Sequence, residues 1–339
     1  MRLIVSGGWF GKEGLYEVEV LRVSTFTGLP TPPEENSFLL LSYDLTSQTL
    51  GVPVKSSDLP PALIIKTGEL RRLREPKRES PSLKPKGCSL HREEYLSRVE
   101  KVKSYIERGD IYQLNLTSRF DFEFTGSPED LFIRFFQRQP VPFAFYLDAG
   151  DFFLLSGSME LFLERRGSLL RSKPIKGTGR EPAQILMSEK ERAENLMITD
   201  MMRNDIGKIA LKGSVRVSEL FGIESYKTLC HMHSTVEGQT HSDLRTILEA
   251  TFPPASVTGA PKRRAVQIID ELEPHARGYY CGTAGFVWKG GDFTLSVLIR
   301  TAFGGGSDIS YFSGCGIVWD SKPEREWEEL LLKQKAFYP

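Results

Sequence analysis

The sequence predicts an α+β domain built on antiparallel sheets, and three observations point there. Strand-like stretches follow one another in meanders. Helical stretches stand singly among them, without the strict strand and helix alternation of a parallel sheet. No internal repeat or low-complexity segment interrupts the chain. With 339 residues, 40% apolar and 26% charged, the chain has enough apolar material for one large core or two modest ones, and such a composition does not predict disorder.

Residues 1 to about 70 read as a short β-rich region packed on the core, with Ser37–Tyr43 its clearest apolar run and the polar stretch Pro30–Glu35 before it. Residues 71–90 are expected to be a polar connector, because Arg71 to Lys86 mixes arginine, lysine and glutamate with three prolines. Residues 91–339 would form the main domain. Tyr95, Val99, Val102 and Ile106 make one helical stripe that ends at a glycine cap, Gly109. In Ile111–Thr117, Gln113, Asn115 and Thr117 alternate with Tyr112, Leu114 and Leu116, the period of a strand with one polar face. Asp151–Lys173 reads as a hairpin turning near Gly167, and Ser188 with Glu191 makes a capping box for a helix to about Asn204. Pro261 and Pro323 suit the first turns of two more helices, with strands at about 279–288, 293–303 and 308–318.

Lysine plus arginine and aspartate plus glutamate both number 44, so no net field recommends nucleic acid or an anionic membrane, and a small-molecule ligand fits better. The cysteines, Cys88, Cys230, Cys281 and Cys315, form no CxxC, which argues against zinc and against a disulfide framework, and for a reducing cytoplasm. No stretch reaches the roughly 18 apolar residues of a membrane span, and Met1–Phe10 carries no cleavage pattern.

Several clusters could carry chemistry. Strand pairing across the hairpin sets Glu160 opposite about Lys173, which leaves Lys176 just beyond the same end of the ribbon. The glycines at 177 and 179 either admit a ligand to the backbone or simply make a turn. Glu194 faces Met197, Ile198 and Met201 on its helix, so it needs a partner, either a hard cation or an arginine such as Arg203. On the last helix Ser321 and Glu324 form a second capping box, and Glu326, Glu329 and Lys333 share a face. Glu329 to Lys333 is the stabilising i,i+4 orientation; a metal role requires Glu329 to meet Glu194. Ser256–Lys262, a small-residue turn entering a helix, offers an anion seat without being a P-loop. The glycine clusters 282–285 and 314–316 mark bulges or a close approach by a ligand. His231 and His233 lack a third zinc ligand nearby, so an uncharged hydrogen-bond donor is the better reading for one of them.

In unbroken order, Gly109–Thr117, Pro174–Thr178, Glu194–Asp200 with Arg203–Asp205, His231–Ser234, Phe252–Lys262, Arg277–Tyr280, Ile299–Thr301 and Gly314–Val318 resemble the chorismate-utilising enzymes. That family includes anthranilate synthase component I, aminodeoxychorismate synthase component I, and isochorismate and salicylate synthases. The resemblance runs from about Tyr95 to Ala336 and implies a chorismate-binding core of two large antiparallel sheets packed together with helices outside. It implies Mg2+ held by Glu194 and Glu329. It assigns Ser256, Tyr280, Arg300, Lys333 and Gly314, with Gly316 beside it, to substrate binding, and His231 to the neighbourhood of the reacting ring carbon. A planar arginine fork suits a carboxylate.

Lys176 resembles the lysine of aminodeoxychorismate synthases, proposed to attack C2 of chorismate and expel the C4 hydroxyl before ammonia adds at C4. Glu160 would protonate the leaving hydroxyl and then serve as a base. Anthranilate synthases resemble Pro-Ile-Ala-Gly-Thr at this point, and isochorismate and salicylate synthases resemble a lysine where Gln113 stands. Met159 replaces a usual proline, and the region before Tyr95 is shorter than in most relatives, with no traceable regulatory tryptophan pocket. No nucleophile-elbow pattern of a glutaminase is present, so ammonia is expected from a separate glutamine amidotransferase subunit or from solution. The rival readings are anthranilate synthase component I and a catalytically silent chorismate-binding subunit; the presence of Glu160, Glu194 and Glu329 argues against the second.

Overall fold

The computed structural model describes residues 1–74, 81–179, 181–227, 229–335 and 337. Segments apolar at every position, such as Phe38–Leu41, need cover on both faces, and they become interior strands. Hydrogen bonds join eighteen strands into one antiparallel ladder. It starts at Arg216–Ser225 and passes through Cys230–Gln239, Leu169–Lys173 with Ile175–Gly179, Leu161–Arg166, Phe293–Val297 and Thr283–Val287. Ser37–Leu41, Ala62–Arg72 and Leu15–Phe26 then lead to Arg2–Ser6. Beyond that strand come Phe143–Asp148, Phe153–Ser158, Thr301–Gly305, Asp308–Ile317 and Gln113–Thr125, whose far edge takes Ser82–Cys88 and Gly259–Ala260.

The α+β class and the antiparallel pairing hold; the division into two sheets does not. The two expected sheets are halves of one ladder, joined at the N-terminal strand, which pairs with Leu15–Phe26 on one side and Phe143–Asp148 on the other. The halves pack face to face through Leu3, Val5, Phe38, Phe145, Leu154 and Phe286, with the Phe38 and Phe145 rings 5.0 Å apart. Alternate residues of the same strands, Leu39 and Leu41 or Ala144 and Tyr146, face outer clusters covered by helices. Helices Arg92–Glu107, Lys262–Leu272 and Pro323–Lys335 cover one half, and Glu189–Gly207 and Leu244–Thr251 the other.

Several boundaries move. Most of the described residues of the expected connector are strand: Ala62–Arg72 reaches into it and Ser82–Cys88 forms an edge strand, while its residues 75–80 lie outside the described residues. An edge tolerates Pro85 and keeps Lys84 and Lys86 in water while Leu83 is buried. Tyr112 precedes its strand and is 65% exposed, because the strand begins at Gln113. The helix capped by Ser188 runs on to Gly207. The capping box at Ser321 does not form; its hydroxyl accepts from the Val318 N–H and bonds the Glu326 carboxylate.

One buried cluster ties these parts together. Arg277, fully buried, pairs bidentately with Glu273 (2.8 and 2.7 Å) and donates to the carbonyls of Val257 and Asn115, both at 2.8 Å. Glu273 in turn accepts from the Thr117 N–H at 2.8 Å. The strand with the polar face and the loop bearing Ser256 are thereby held in one register. Removing one partner of a buried pair leaves an uncompensated charge, so Arg277→Met should cost about 3 to 5 kcal/mol in urea unfolding. Adding Glu273→Gln should recover much of that loss, and a single variant as stable as wild type would show that the pair carries no such constraint.

Candidate active site

The chain crosses between the two halves at Met159–Glu160 and again at Leu298–Arg300, and a predicted site residue sits at each crossing. The crossings are fastened by backbone bonds, Val297 N–H to the Glu160 carbonyl and Gly157 N–H to the Arg300 carbonyl, both 3.0 Å. Arg300 adopts φ 52, in the left-handed region that non-glycine residues rarely occupy. Such strain persists where surrounding structure imposes it.

Glu160 is 3% exposed. Its carboxylate accepts from the Ile175 N–H at 3.3 Å and from the Ser256 hydroxyl. Burial pushes it up to about 7, against the opposing pull of those bonds and of the Lys176 charge. The hairpin places Lys173 opposite Leu161, one residue from the expected register, so Lys176 follows at the same end of the ribbon.

Gly316 is where four elements converge. A Cβ there would stand 2.6 Å from Gln113 Nε2, 3.1 Å from Lys176 Nζ and 3.4 Å from Glu194 Oε2. The bare backbone of residue 316 is therefore the floor on which the amide, the ammonium and the carboxylate meet. Gln113 is 1% exposed, and its Oε1 has no partner among the described residues.

His231 and His233 diverge. His233 Nε2 lies 2.9 Å from Glu219 Oε2, whereas His231 pairs with Thr178 and lies in the field of Arg300 and Lys333. Burial, and then Arg300, lower His231 to about 4, so the ring is neutral. Tyr280 is buried and stacks on Phe312 with centroids 5.3 Å apart. Arg300 Nη1 reaches the Lys333 carbonyl at 3.3 Å. Lys333 Nζ donates to the Gly314 carbonyl at 2.8 Å and pairs with Glu329 at 2.6 Å, the i,i+4 bond legible in the sequence. The candidate residues thus gather on one site.

Three participants were missed. Lys190 Nζ lies 3.8 Å from Glu194 and 3.6 Å from Glu326, and the charges of Glu191 and Glu329 also reach it. Glu194 is not partnered by Arg203, which pairs with Asp200. Burial raises Glu191 and Glu326, and the neighbouring carboxylates Glu194 and Glu329 respectively raise them further. The available signal was the spacing Glu-x-x-Glu at 191/194 and again at 326/329. Four carboxylates face Lys190, while Lys333 pairs with Glu329 and Lys176 Nζ lies near Glu194, so the carboxylates still outnumber the ammonium groups and form an oxygen-rich donor set that fits a hard divalent cation. Cys315 lies within 4.8 Å of Glu326 and Glu329; burial pushes its thiol up to about 12, and its Sγ donates to the Glu326 carbonyl at 3.4 Å.

The helix bearing Glu194 is anchored by two buried links: Asn195 Oδ1 accepts from the Ser234 hydroxyl, and Lys262 binds Asp205 and the carbonyls of Thr251 and Pro253. A cavity of about 620 Å³ lined by Trp9, Phe143 and Trp288 lies elsewhere and includes none of the candidate site residues.

Glu160 gives a pH test. Between its ordinary 4.5 and about 7 the folded protein holds a proton that the unfolded chain releases, so stability falls as pH rises through that window, by roughly 3 kcal/mol in all. Glu160→Gln should lose this slope and gain on wild type between pH 5 and 8 in urea unfolding. Parallel slopes would mean that Glu160 ionises as an ordinary carboxylate.

Residues 43–339 match the family of chorismate binding enzymes. The chain is 39% identical over 272 residues to anthranilate synthase component 1 of Aquifex aeolicus, covering 76% of this chain and 55% of that one. It is 37% identical over 250 residues to aminodeoxychorismate synthase component 1 of Bacillus subtilis, covering 70% and 53%. It thus spans about half the length of these curated relatives. In fold it is similar to anthranilate synthase component I from Streptococcus pneumoniae, with TM-score 0.79 at 24% identity over 99% of this chain and 92% of that one. The menaquinone-specific isochorismate synthase of Escherichia coli superposes with TM-score 0.80 at 18% identity, over 99% and 87%. Through the match over residues 43–339, this chain belongs to the chorismate binding enzymes.

Proposed function

We propose that this chain is the chorismate-aminating component of an aminodeoxychorismate synthase, converting chorismate and ammonia to 4-amino-4-deoxychorismate. The observation that carries the reading is Lys176 Nζ lying over Gly316 beside Gln113, at the end of the ribbon that also bears Glu160. The amine of Lys176, once free of its extra proton, attacks C2 of chorismate, both ring double bonds shift by one position, and the C4 hydroxyl departs. A carboxyl at about 7 is protonated in a substantial fraction of molecules near neutrality, so Glu160 can give that proton and the hydroxyl leaves as water. Ammonia then adds at C4, the C2–N bond breaks, and Lys176 is released while Glu160 takes a proton back.

Arg300, Lys333, Ser256, Tyr280 and the backbone at Gly314 and Gly316 surround the site and suit the two carboxylates of chorismate. Glu194 and Glu329 would hold Mg2+, with Glu191 and Glu326 behind them. The ion supplies positive charge for a substrate carboxylate. Gln113 has no proton-accepting amine, which disfavours activation of water as nucleophile. Relatives named component 1 support a separate glutamine amidotransferase subunit as the ammonia source.

Purified protein given chorismate, Mg2+ and ammonium should yield aminodeoxychorismate by mass spectrometry, and Lys176→Ala should lose about 100-fold or more of that rate. Anthranilate as product would place the chain with the anthranilate synthases, isochorismate would overturn the role of Lys176, and no turnover would make it a silent chorismate-binding subunit. Separately, Mg2+-dependent thermal stabilisation by chorismate should vanish in Glu194→Ala; its persistence would remove Glu194 from the metal site.

A further inference from the structure

We infer that Lys190 is the resident counter-ion of the cation site: its ammonium bridges the helix of Glu194 to the last helix through Glu326, and a divalent cation taken up at the site displaces it toward solvent. This rests on the placement of Mg2+ at Glu194 and Glu329 proposed above. Local helix physics gives no reason for a lysine at this position. Lys190 is the second residue of the helix Glu189–Gly207, whose N-terminus disfavours positive charge, and a lysine four residues before a glutamate is the weaker order of such a pair. What holds the ammonium is tertiary. Nζ lies 3.8 Å from Glu194 Oε1 and 3.6 Å from Glu326 Oε1, on two different helices, and Glu191 and Glu329 face it as well.

The ammonium groups near these carboxylates are not equivalent. Lys333 is fixed by the Gly314 carbonyl at 2.8 Å and by Glu329 at 2.6 Å. Lys176 Nζ lies over Gly316, beside Gln113. Lys190 makes longer contacts, and its side chain is 44% exposed, against 12% for Glu194 and 4% for Glu326. Its head therefore reaches water by rotation of its own stem, without crossing an apolar layer. A cation held by Glu194 and Glu329 draws on the same Glu194 carboxylate and sets two positive charges beside the one on Lys190, so repulsion drives the exchange. Without the ion the lysine holds Glu194 and Glu326 together against their like charge, and the carboxylates are gathered before the ion arrives.

Lys190→Met keeps an unbranched stem and removes the charge. In EDTA it should melt about 2 °C or more below wild type, and saturating Mg2+ should close the gap, so that calorimetry shows Mg2+ bound about tenfold more tightly by the variant. Lys190→Arg should stay close to wild type in both, and Glu194→Ala should abolish the heat that identifies the site. Acetylation of Lys190 in wild type, read by peptide mass spectrometry, should rise about threefold on Mg2+ addition, because an ammonium released from its carboxylates gives up its proton more readily. A variant equally destabilised with and without Mg2+, an unchanged Mg2+ affinity, or acetylation that does not rise overturns the exchange. If neither wild type nor variant binds Mg2+, the metal site and the exchange fall together. If both bind it as expected but the product is not aminodeoxychorismate, the reading of the reaction fails and the exchange stands.

Discussion

The buried pair of Arg277 and Glu273 is the constraint on which the site depends. Its four hydrogen bonds commit the guanidinium to two carboxylate oxygens and to the carbonyls of Val257 and Asn115, while Glu273 also takes the Thr117 N–H. Such a pair adds little net stability, since desolvation of both ions offsets their attraction, but it is exacting about geometry. Here it fixes the polar face of the strand carrying Gln113 against the loop that carries Ser256. Ser256 then reaches Glu160 on the other half of the ladder. Buried Lys262 extends the same logic to the helix of Glu194, through Asp205 and two carbonyls.

Around this frame, the candidate active site is a place where a long ladder meets itself. Lys176 and His231 come from strands near one end, and Gln113, Gly314 and Gly316 from strands near the other. Glu160 and Arg300 occupy two of the crossings between the halves. Covering helices add the carboxylates of Glu194 and Glu329 and the ammonium of Lys333. Charges of both signs are thereby gathered in a partly buried space, where interactions are stronger than in water and each ionisation responds to its neighbours. The raised carboxyl of Glu160 and the neutral ring of His231 are consequences of that burial.

Local elements were legible because they rest on short-range rules. The stripe Tyr95, Val99 and Val102 is fully buried, Gly109 takes the left-handed conformation just past its helix, and Gly167 turns the hairpin as its position required. The same rules failed where two local solutions compete. Ser321 could have capped a helix through Glu324, but Glu326 claimed its hydroxyl. The charged stretch around Lys84 looked like a linker because one edge strand with a single buried leucine has almost no apolar pattern.

The sequence by itself determined the α+β class, the antiparallel hairpins and the side chains that are candidates for the site, since periodicity, turn residues and chemical type are written position by position. Only the tertiary structure decided that the two sheets are one ladder closed by the N-terminal strand. It also decided that Glu191, Glu194, Glu326 and Glu329 share one ammonium, and that His231 rather than His233 faces the site. These are facts about distance between residues tens to hundreds of positions apart. Such distances are set by packing the halves through Phe38 and Phe145 and by buried bonds such as Arg277 to Asn115, which no local pattern encodes.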